Sequence, residues 1–453
     1  MPSRLTTLLA LALPMVLARA SQSVITFADA IQVKDLGPGA IAATATGGLN
    51  VMVFVLLPMG IVFIVQSFVA QLTGRGDRDE TRRFAWYGLA VALVAGLVAA
   101  AAIPAVAPIL EGSSYSPAVR HAMASYMAIR MLSVAPAVAI EALGTWYGGL
   151  GNTWMQMISG ILTMTIAIVL NAILITGRFG APALGVDGAA VASLVATWAG
   201  FAFLAIAFWR GWGNAPKSRR SPAGLGLSWH ELGRVFRFGL PNGLNWFLEF
   251  TAFQMFVNVV VAGLGDTTVA ALNVVIAVNS IAFMPAFGLA SAGAILAAQA
   301  IGRDQRDEVW PQVKLTMACT AAWMVAIAGT YLVFPDFVLS WFTPEHGGAQ
   351  LVALGASMLA ISSLWQVFDA IGMTLAETLR AAGDTAWTAG ARIVLAWAAF
   401  APGSYLVVRI WHGGAVGAMV CLVIYLALLA LALAIRFRSG AWRKIQLIEP
   451  KLV

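Results

Sequence analysis

The chain has 453 residues, of which 60% are hydrophobic and only 10% carry a charge, and its formal net charge is +7. A soluble chain of this length needs far more charged side chains to cover its surface, so the composition excludes an ordinary soluble protein. The positive charge does not indicate nucleic-acid binding, because the basic residues lie between apolar blocks, where they set membrane topology.

The apolar residues recur in blocks of about 20 residues or more, the length that an α-helix needs to cross a membrane. Glycine, proline and charged residues separate twelve such blocks. The predicted helices span residues 6–33, 40–72, 84–110, 117–142, 154–176, 184–210, 239–262, 268–301, 312–341, 348–379, 388–411 and 414–436. The fold class that follows is an all-α membrane protein with twelve transmembrane helices.

The first block has features of a cleavable signal peptide, because Arg4 precedes the apolar run from Leu8 to Leu17 and Ala18-Arg19-Ala20 follows it. However, helix-compatible sequence continues to about Val33, and the block has a counterpart in the middle of the chain. We therefore interpret it as the first membrane-spanning helix.

Lysine and arginine mark the cytoplasmic side of a membrane protein. Most of them follow the second, sixth, eighth and twelfth predicted helices, which places them all on one face. They are Arg75, Arg78, Arg82, Arg83, Lys217, Arg219, Arg220, Arg234, Arg237, Arg303, Arg306, Lys314, Arg436, Arg438, Arg443 and Lys444. Both termini are therefore predicted to be cytoplasmic.

The chain also repeats itself at an offset of about 230 residues, as expected of transporters built from two related halves. The matching segments are Leu13-Pro14 with Leu240-Pro241, Leu36-Gly37 with Leu264-Gly265, Pro58 with Pro285, 70–75 with 298–303, and Gly151-Asn152-Thr153 with Gly383-Asp384-Thr385. Each half has six helices, an even number, so both halves enter the membrane in the same direction. The two bundles are therefore predicted to be related by a pseudo-two-fold axis along the membrane normal.

This repeat divides the chain into three parts. Residues 1–210 form an N-terminal six-helix bundle, residues 211–237 a cytoplasmic connector, and residues 238–453 a C-terminal six-helix bundle with a short cytoplasmic tail. Two bundles of this kind leave a cleft between them, the architecture that alternating access requires.

Three acidic residues lie inside the apolar blocks, where an ionisable side chain is costly and is a functional candidate by default. They are Asp29 in the first helix, Glu249 in the seventh and Asp369 in the tenth. Polar or soft residues that share a helix face with them are candidates for the lining of a substrate cavity. These are Gln22 and Thr26 for Asp29, Asn242 and Asn245 for Glu249, and Gln366 and Met373 for Asp369. Each acid also has a structural interpretation, which for Asp29 is a hydrogen bond near the outer interface.

Glu249 and Asp369 belong to the same half. Two carboxylates that face one cavity repel each other, and a proton, a sodium ion or a cationic ligand neutralises them. Competition between an ion and a substrate for these groups is the simplest coupling chemistry.

Arg19 is unusual, since it lies within the first helix about 15 Å from Asp29 along the axis, too far for a direct pair. Arg130 and Glu141 are expected to lie near membrane ends.

The order and duplication of these motifs resemble the multidrug and toxic compound extrusion (MATE) transporters over essentially the whole chain. The resemblance rests on the two six-helix halves, Leu13-Pro14, the stretch from Asp29 to Gly37, the end of the second helix at 70–74 and the turn Gly383-Asp384-Thr385. The acids of the first, seventh and tenth helices are similar to those of the NorM-type branch. The DinF-type branch is less similar, because Ile175 stands where that branch usually carries an aspartate after Asn171.

The resemblance implies export of bulky, often cationic drugs or dyes, driven by inward flow of Na⁺ or H⁺. It assigns the coupling cation to Glu249 and Asp369, which would also hold a bound Na⁺, and a separate cation or proton site to Asp29. No other cofactor or metal is expected, since Cys319 and Cys421 form no ligand pattern. The expected partners are organic cations, drugs and the lipid bilayer. A monomer in the cytoplasmic (inner) membrane of a bacterium is expected.

Two other transporter classes stay open. A lipid-linked sugar flippase of the same superfamily would show more basic residues along its cavity, to hold phosphates. A major-facilitator transporter is suggested by 74–77 with Arg82-Arg83, although the spacing of that loop motif is wrong. An enzyme is not predicted, because no nucleophile, base or metal constellation lies inside the helices.

Overall fold

The structure is a computed structural model that describes residues 3–33, 36–113, 115–213, 216, 226–340 and 349–449. Within these ranges the chain is helical apart from short connections, and contains no strand. Long apolar segments favour helices because a helix satisfies its own backbone N–H and C=O groups, for which lipid offers no partner. The basic residues Lys217, Arg219 and Arg220, predicted to mark the cytoplasmic face, lie outside the described ranges.

Twelve helical segments correspond to the twelve predicted spans. Their bounds are α1 Arg4–Val33; α2 Pro38–Phe63 with Val65–Arg75; α3 Thr81–Glu111; α4 Pro117–Met131 with Val134–Gly149; α5 Trp154–Leu174; α6 Gly185–Arg210; α7 Trp229–Met255, continued by Phe256–Val261 and Ala262–Leu264; α8 Asp266–Gly302; α9 Val309–Val333; α10 Ala349–Ala381; α11 Thr385–Val394, continued by Leu395–Phe400, Ala401–Tyr405 and Leu406–Ile410; and α12 Gly414–Arg438.

Of the described helices, eleven are long and apolar enough to cross a membrane, and the count is twelve if the bent α4 forms one span. This confirms the all-α class with twelve spans. A short helix, Pro335–Ser340, follows α9. The helix α7 begins at Trp229, ten residues before the predicted start at residue 239, so the last part of the predicted connector is helical.

Proline explains the irregularities of two helices. The two segments of α4 meet at an angle of 41° just before Pro136, which lacks the N–H that would bond to the carbonyl of Leu132. In α11 the π-helical segment Leu395–Phe400 ends two residues before Pro402, which likewise removes a backbone donor. Loss of one donor lets the adjacent turn open to the wider π geometry.

The sequence repeat is visible in the backbone. Gly37 and Gly265, which precede α2 and α8, have φ of 93° and 102° with ψ of 172° and 159°. Side chains other than hydrogen disfavour this conformation, so both positions require glycine. The two turns before α5 and α11 match as well, with φ of 82° at Gly151 and 88° at Gly383.

The residue after each of these turn glycines ties the turn to the last helix of its own half. Asn152 donates its side-chain N–H to the carbonyl of Gly213, just beyond α6, at 2.6 Å. At the corresponding position Asp384 accepts from Arg436, near the end of α12, at 2.7 and 3.1 Å. Different chemistry therefore fixes the same turn in both halves.

Contacts divide the chain into two compact units. Unit N consists of residues 17–243, and unit C consists of residues 1–16 together with 244–453. The division falls within α1 and α7, whereas the N-terminal bundle was predicted to end at residue 210 and the C-terminal bundle to begin at residue 238. In unit C a large apolar core packs the six helices α7 to α12 around buried side chains such as Phe256, Leu272 and Leu433. In unit N a second core packs α2, α3 and α4 around Val62, Met123 and Val138.

Candidate functional site

A polar cluster in unit C is centred on Glu249 of α7. Its carboxylate forms an ion pair with Arg392 of α11, whose Nη1 lies 3.0 Å from Oε2 and 3.4 Å from Oε1. Tyr425 of α12 donates its hydroxyl to Oε1 at 2.8 Å. Three helices therefore fix one carboxylate, which lies about 30 Å along α7 from its start at Trp229.

Asn245, one turn before Glu249 on α7, belongs to the same cluster. Its side-chain N–H donates to Oε2 of Glu249 at 3.4 Å. Asn245 is only 4% exposed. Its Oδ1 is buried and has no hydrogen-bond partner among the described residues. A buried carbonyl oxygen without a donor is costly unless a ligand satisfies it. Asn245 thus offers a free acceptor beside a carboxylate.

Asp369 lies near the middle of α10 and completes the cluster. It interacts electrostatically with Arg392 and Glu249, attractively with the first and repulsively with the second. In the described part of the chain it makes no hydrogen bond. The cluster therefore contains two carboxylates and one guanidinium, and its net charge is −1 when all three are ionised.

The other residues predicted to flank Asp369 have different surroundings. Gln366, one turn earlier on α10, donates to Oδ1 of Asn279 in α8 at 2.6 Å, and Asn279 donates in turn to Ser362 at 3.3 Å. This chain joins α8 to α10 and fixes the helix that carries Asp369. Met373 instead packs into a small apolar core with Ala282 and Met324.

Unit N holds a smaller cluster around Asp29, one turn before the end of α1. Asn171 of α5 donates its side-chain N–H to Asp29, and Arg130 of α4 interacts with both Asp29 and the hydroxyl of Tyr126. Asn171 is fully buried, and its Oδ1 has no hydrogen-bond partner among the described residues. An acid, an arginine and an asparagine with a free oxygen therefore recur in the two units.

The other residues predicted to line a cavity are Gln22, Thr26 and Asn242. Gln22 is exposed, and the side chain of Thr26 lies outside the described residues. Asn242 donates to the backbone carbonyl of Gly60 at 2.8 Å, within unit N, where a Cβ on Gly60 would lie 2.5 Å from Gly243. The hydrogen bond of Asn242 therefore stabilises the close packing of α7 against α2.

A second buried ion pair explains the arginine within α1. Arg19 donates to both oxygens of Glu141 in α4 at 2.7 and 3.2 Å, and its guanidinium lies 5.7 Å from the ring centroid of Phe63. The exposed fractions of the two charged side chains are 15% and 4%. Glu141 therefore neutralises the positive charge that the sequence places within α1.

Sequence reasoning missed Arg392, Tyr425 and Asn279. The sequence could have identified Arg392, because it stands inside the apolar block 388–411. Burying a basic side chain in a membrane is costly, just as burying an acidic one is. Tyr425 and Asn279 had no such signal, since a single tyrosine or asparagine in an apolar helix is common in packed interiors. Their positions depend on which helices are neighbours.

The chemistry of both clusters suits a small monovalent cation or a proton. Carboxylate and amide oxygens are the ligands that hard cations prefer, and a proton needs only one carboxylate. A metal centre with several protein ligands needs a different arrangement of side chains. Within the described residues no group of three or more His, Cys, Asp or Glu side chains is arranged to hold a metal ion.

Twelve apolar helices with charged clusters buried between them define a multi-pass membrane transporter, and comparisons with known proteins identify its family. A family model described as MatE matches residues 14–173 and 245–406. The match covers more than half of the chain, in two segments that fall in its two halves. The chain belongs to the MatE family.

Individual relatives agree. The chain is 29% identical to a probable multidrug resistance protein NorM of Neisseria meningitidis over 80% of this chain and 78% of the relative. It is 26% identical to the multidrug resistance protein PmpM of Pseudomonas aeruginosa, over 89% and 84% of the two chains. The fold is similar to that of a crystallised MATE transporter in complex with MaL6, with a TM-score of 0.90, 20% identity and 98% of each chain covered. The resemblance to the NorM-type branch is thereby confirmed.

Proposed function

We propose that this protein exports bulky organic compounds, many of them cationic, in exchange for Na⁺ or H⁺. The family and its multidrug-resistance relatives support the export of drugs. Coupling is supported by the charge of the unit C cluster. Because the exchange needs only a site that alternates between two cations, no further cofactor enters the mechanism.

The observation that carries the proposal is the placement of Asp369 beside the ion pair of Glu249 and Arg392. With Arg392 neutralising one carboxylate, the other is left without a counter-charge inside the membrane span. An uncompensated carboxylate in this environment attracts a cation strongly, because the low dielectric screens little. A coupling ion and a cationic substrate then compete for the same charge, and competition of this kind links their movements.

Asp29 provides a second, separate cation or proton site in unit N. Support comes from the buried Oδ1 of Asn171, which adds a free oxygen beside the carboxylate. Arg130 weakens the attraction of this site for a cation, because its positive charge already compensates the charge of Asp29. We therefore assign the dominant coupling role to the unit C cluster.

A lipid-linked sugar flippase is the second candidate function, and the arginines of the clusters are the observation that favours it. Both Arg130 and Arg392 interact with acids, however, so neither offers the unbalanced positive charge that a phosphate needs. Cationic cargo fits the net charge of the unit C cluster better.

We place the protein in the cytoplasmic membrane of a bacterium as a monomer, with both termini in the cytoplasm and alternating access as its transport cycle.

The proposal is tested in proteoliposomes loaded with a fluorescent organic cation such as ethidium. An imposed Na⁺ or H⁺ gradient is expected to accelerate dye movement against its own gradient, and only one of the two ions is expected to drive it. Adding monensin or nigericin, which dissipates the gradient, should return the rate to that of protein-free liposomes. Dye movement that responds to neither gradient would contradict the proposal, as would transport of an anionic lipid-linked phosphate in its place.

A further inference from the structure

A coupling site made of two carboxylates does not need an arginine, yet Arg392 is held beside Glu249 by the packing of α7 and α11. It lies on the first segment of α11, immediately before the π-helical segment Leu395–Phe400. Its partner Glu249 stands about two turns before the π-helical segment of α7, and the ring centroids of Phe256 and Phe400 in the two π segments lie 4.9 Å apart. Arg392 and Glu249 are therefore carried by two helices that are packed against each other beyond the pair.

The ion pair is held from both sides. Tyr425 donates to Oε1 of Glu249 at 2.8 Å and Asn245 donates to Oε2 at 3.4 Å, so the carboxylate is oriented toward Arg392. The exposed fractions of the Arg392 and Glu249 side chains are 20% and 32%. The pair is therefore only partly buried, and it is positioned to sense a ligand without being a sealed structural element.

We propose that Arg392 is a specificity-determining residue whose fixed positive charge reduces the Glu249/Asp369 site to a net charge of −1, so that this site binds one monovalent cation or one monocationic substrate at a time. The proposal rests on the function proposed above. It follows from counting charges, since two carboxylates alone would carry −2 and would accept two protons, two sodium ions or a dication. The neighbouring acid on α10, Glu377, does not alter the count, because Arg380 pairs with it.

The proposal predicts that the charge of the substrate, and not only its shape, decides which compounds are exported. Ethidium and propidium test this directly, because they share one ring system and carry one and two positive charges. The wild-type protein is expected to export ethidium faster than propidium under the same gradient. In R392Q the ratio of propidium to ethidium rates is expected to rise on the order of tenfold, because one repulsive charge at short range is removed.

A second-site rescue separates the charge from the ion pair itself. E249Q leaves Asp369 and Arg392, a site of net charge zero, and is expected to export neither dye. E249Q/R392Q restores a charge of −1 on Asp369 alone, and it is expected to regain ethidium export and the wild-type preference for the monocation. R392K keeps the charge and loses only the planar fork, so its dye ratio should stay within about twofold of the wild type.

All variants are compared as purified, monodisperse protein reconstituted at equal density, so that a folding defect is not read as a transport defect. A dye ratio in R392Q equal to that of the wild type would overturn the proposal, as would a folded E249Q/R392Q that exports neither dye. If R392Q fails to fold, the comparison of E249Q with E249Q/R392Q decides alone. A wild-type protein that exports neither dye under any gradient would contradict the proposed function instead.

Discussion

Replacement of Asp369 by asparagine is expected to abolish cation-driven export. The substitution leaves Glu249 paired with Arg392, so the unit C cluster becomes neutral and attracts neither the coupling ion nor a cationic substrate. Two unit charges about 4 Å apart interact by about 4 kcal/mol at an effective dielectric of about 20, and a loss of at least about 100-fold in export rate therefore follows. The measurement is the initial rate of ethidium export in proteoliposomes under the driving gradient.

The matched control for this prediction is D336N. Asp336 is an exposed acid of the same unit, in the short helix Pro335–Ser340, and solvent already screens its charge. This variant is expected to export at the wild-type rate. Wild-type export by D369N, with its dependence on the gradient intact, would show that the coupling cation binds elsewhere.

Breaking the pair of Arg19 and Glu141 is expected to have the largest effect on stability. Removal of one partner of a buried ion pair leaves an uncompensated charge, and E141L is therefore expected to lower the free energy of unfolding by about 3 kcal/mol or more. In R19L/E141L both charges are absent, and most of that loss should be recovered. The measurement is unfolding of the purified protein in mixed micelles, followed by circular dichroism, for the wild type, R19L, E141L and R19L/E141L.

The exposed pair of Arg4 and Glu308 is the control for this cycle. Its side chains are 57% and 51% exposed, compared with 15% and 4% for Arg19 and Glu141. An exposed pair contributes roughly 1 kcal/mol or less, so R4L should be close to the wild type. If the effects of R19L and E141L simply added in the double variant, to within about 0.5 kcal/mol, the two residues would not be coupled.

The helices and the repeat could be predicted from the sequence because a membrane leaves the backbone few choices. Any long apolar block must be helical to satisfy its hydrogen bonds, so counting blocks gave twelve helices. The turn glycines carried the repeat, since Gly37 and Gly265 need a conformation that other residues avoid. The start of α7 differs from the prediction, because an amphipathic helix and a loop have similar composition in the connector.

The partners of the buried charges could not be predicted in the same way. Glu249 and Arg392 are 143 positions apart, and Asp29 and Asn171 are 142 positions apart. Such pairs depend on which helices are neighbours, and periodicity within one helix does not contain that information. The three acids were found because burial makes a charge costly wherever it lies. The same reasoning, extended to bases, would have found Arg392 as well.

Competition between a cation and a substrate at the unit C cluster is most directly tested by equilibrium binding. The measurement is the Kd of ethidium for the detergent-purified protein, by fluorescence anisotropy, across a range of Na⁺ concentrations and of pH. The Kd is expected to rise in proportion to the concentration of the coupling ion for the wild type and to lose this dependence in D369N. A Kd that is independent of both ions, or that responds to them equally in D369N, would contradict a cation site at Glu249 and Asp369.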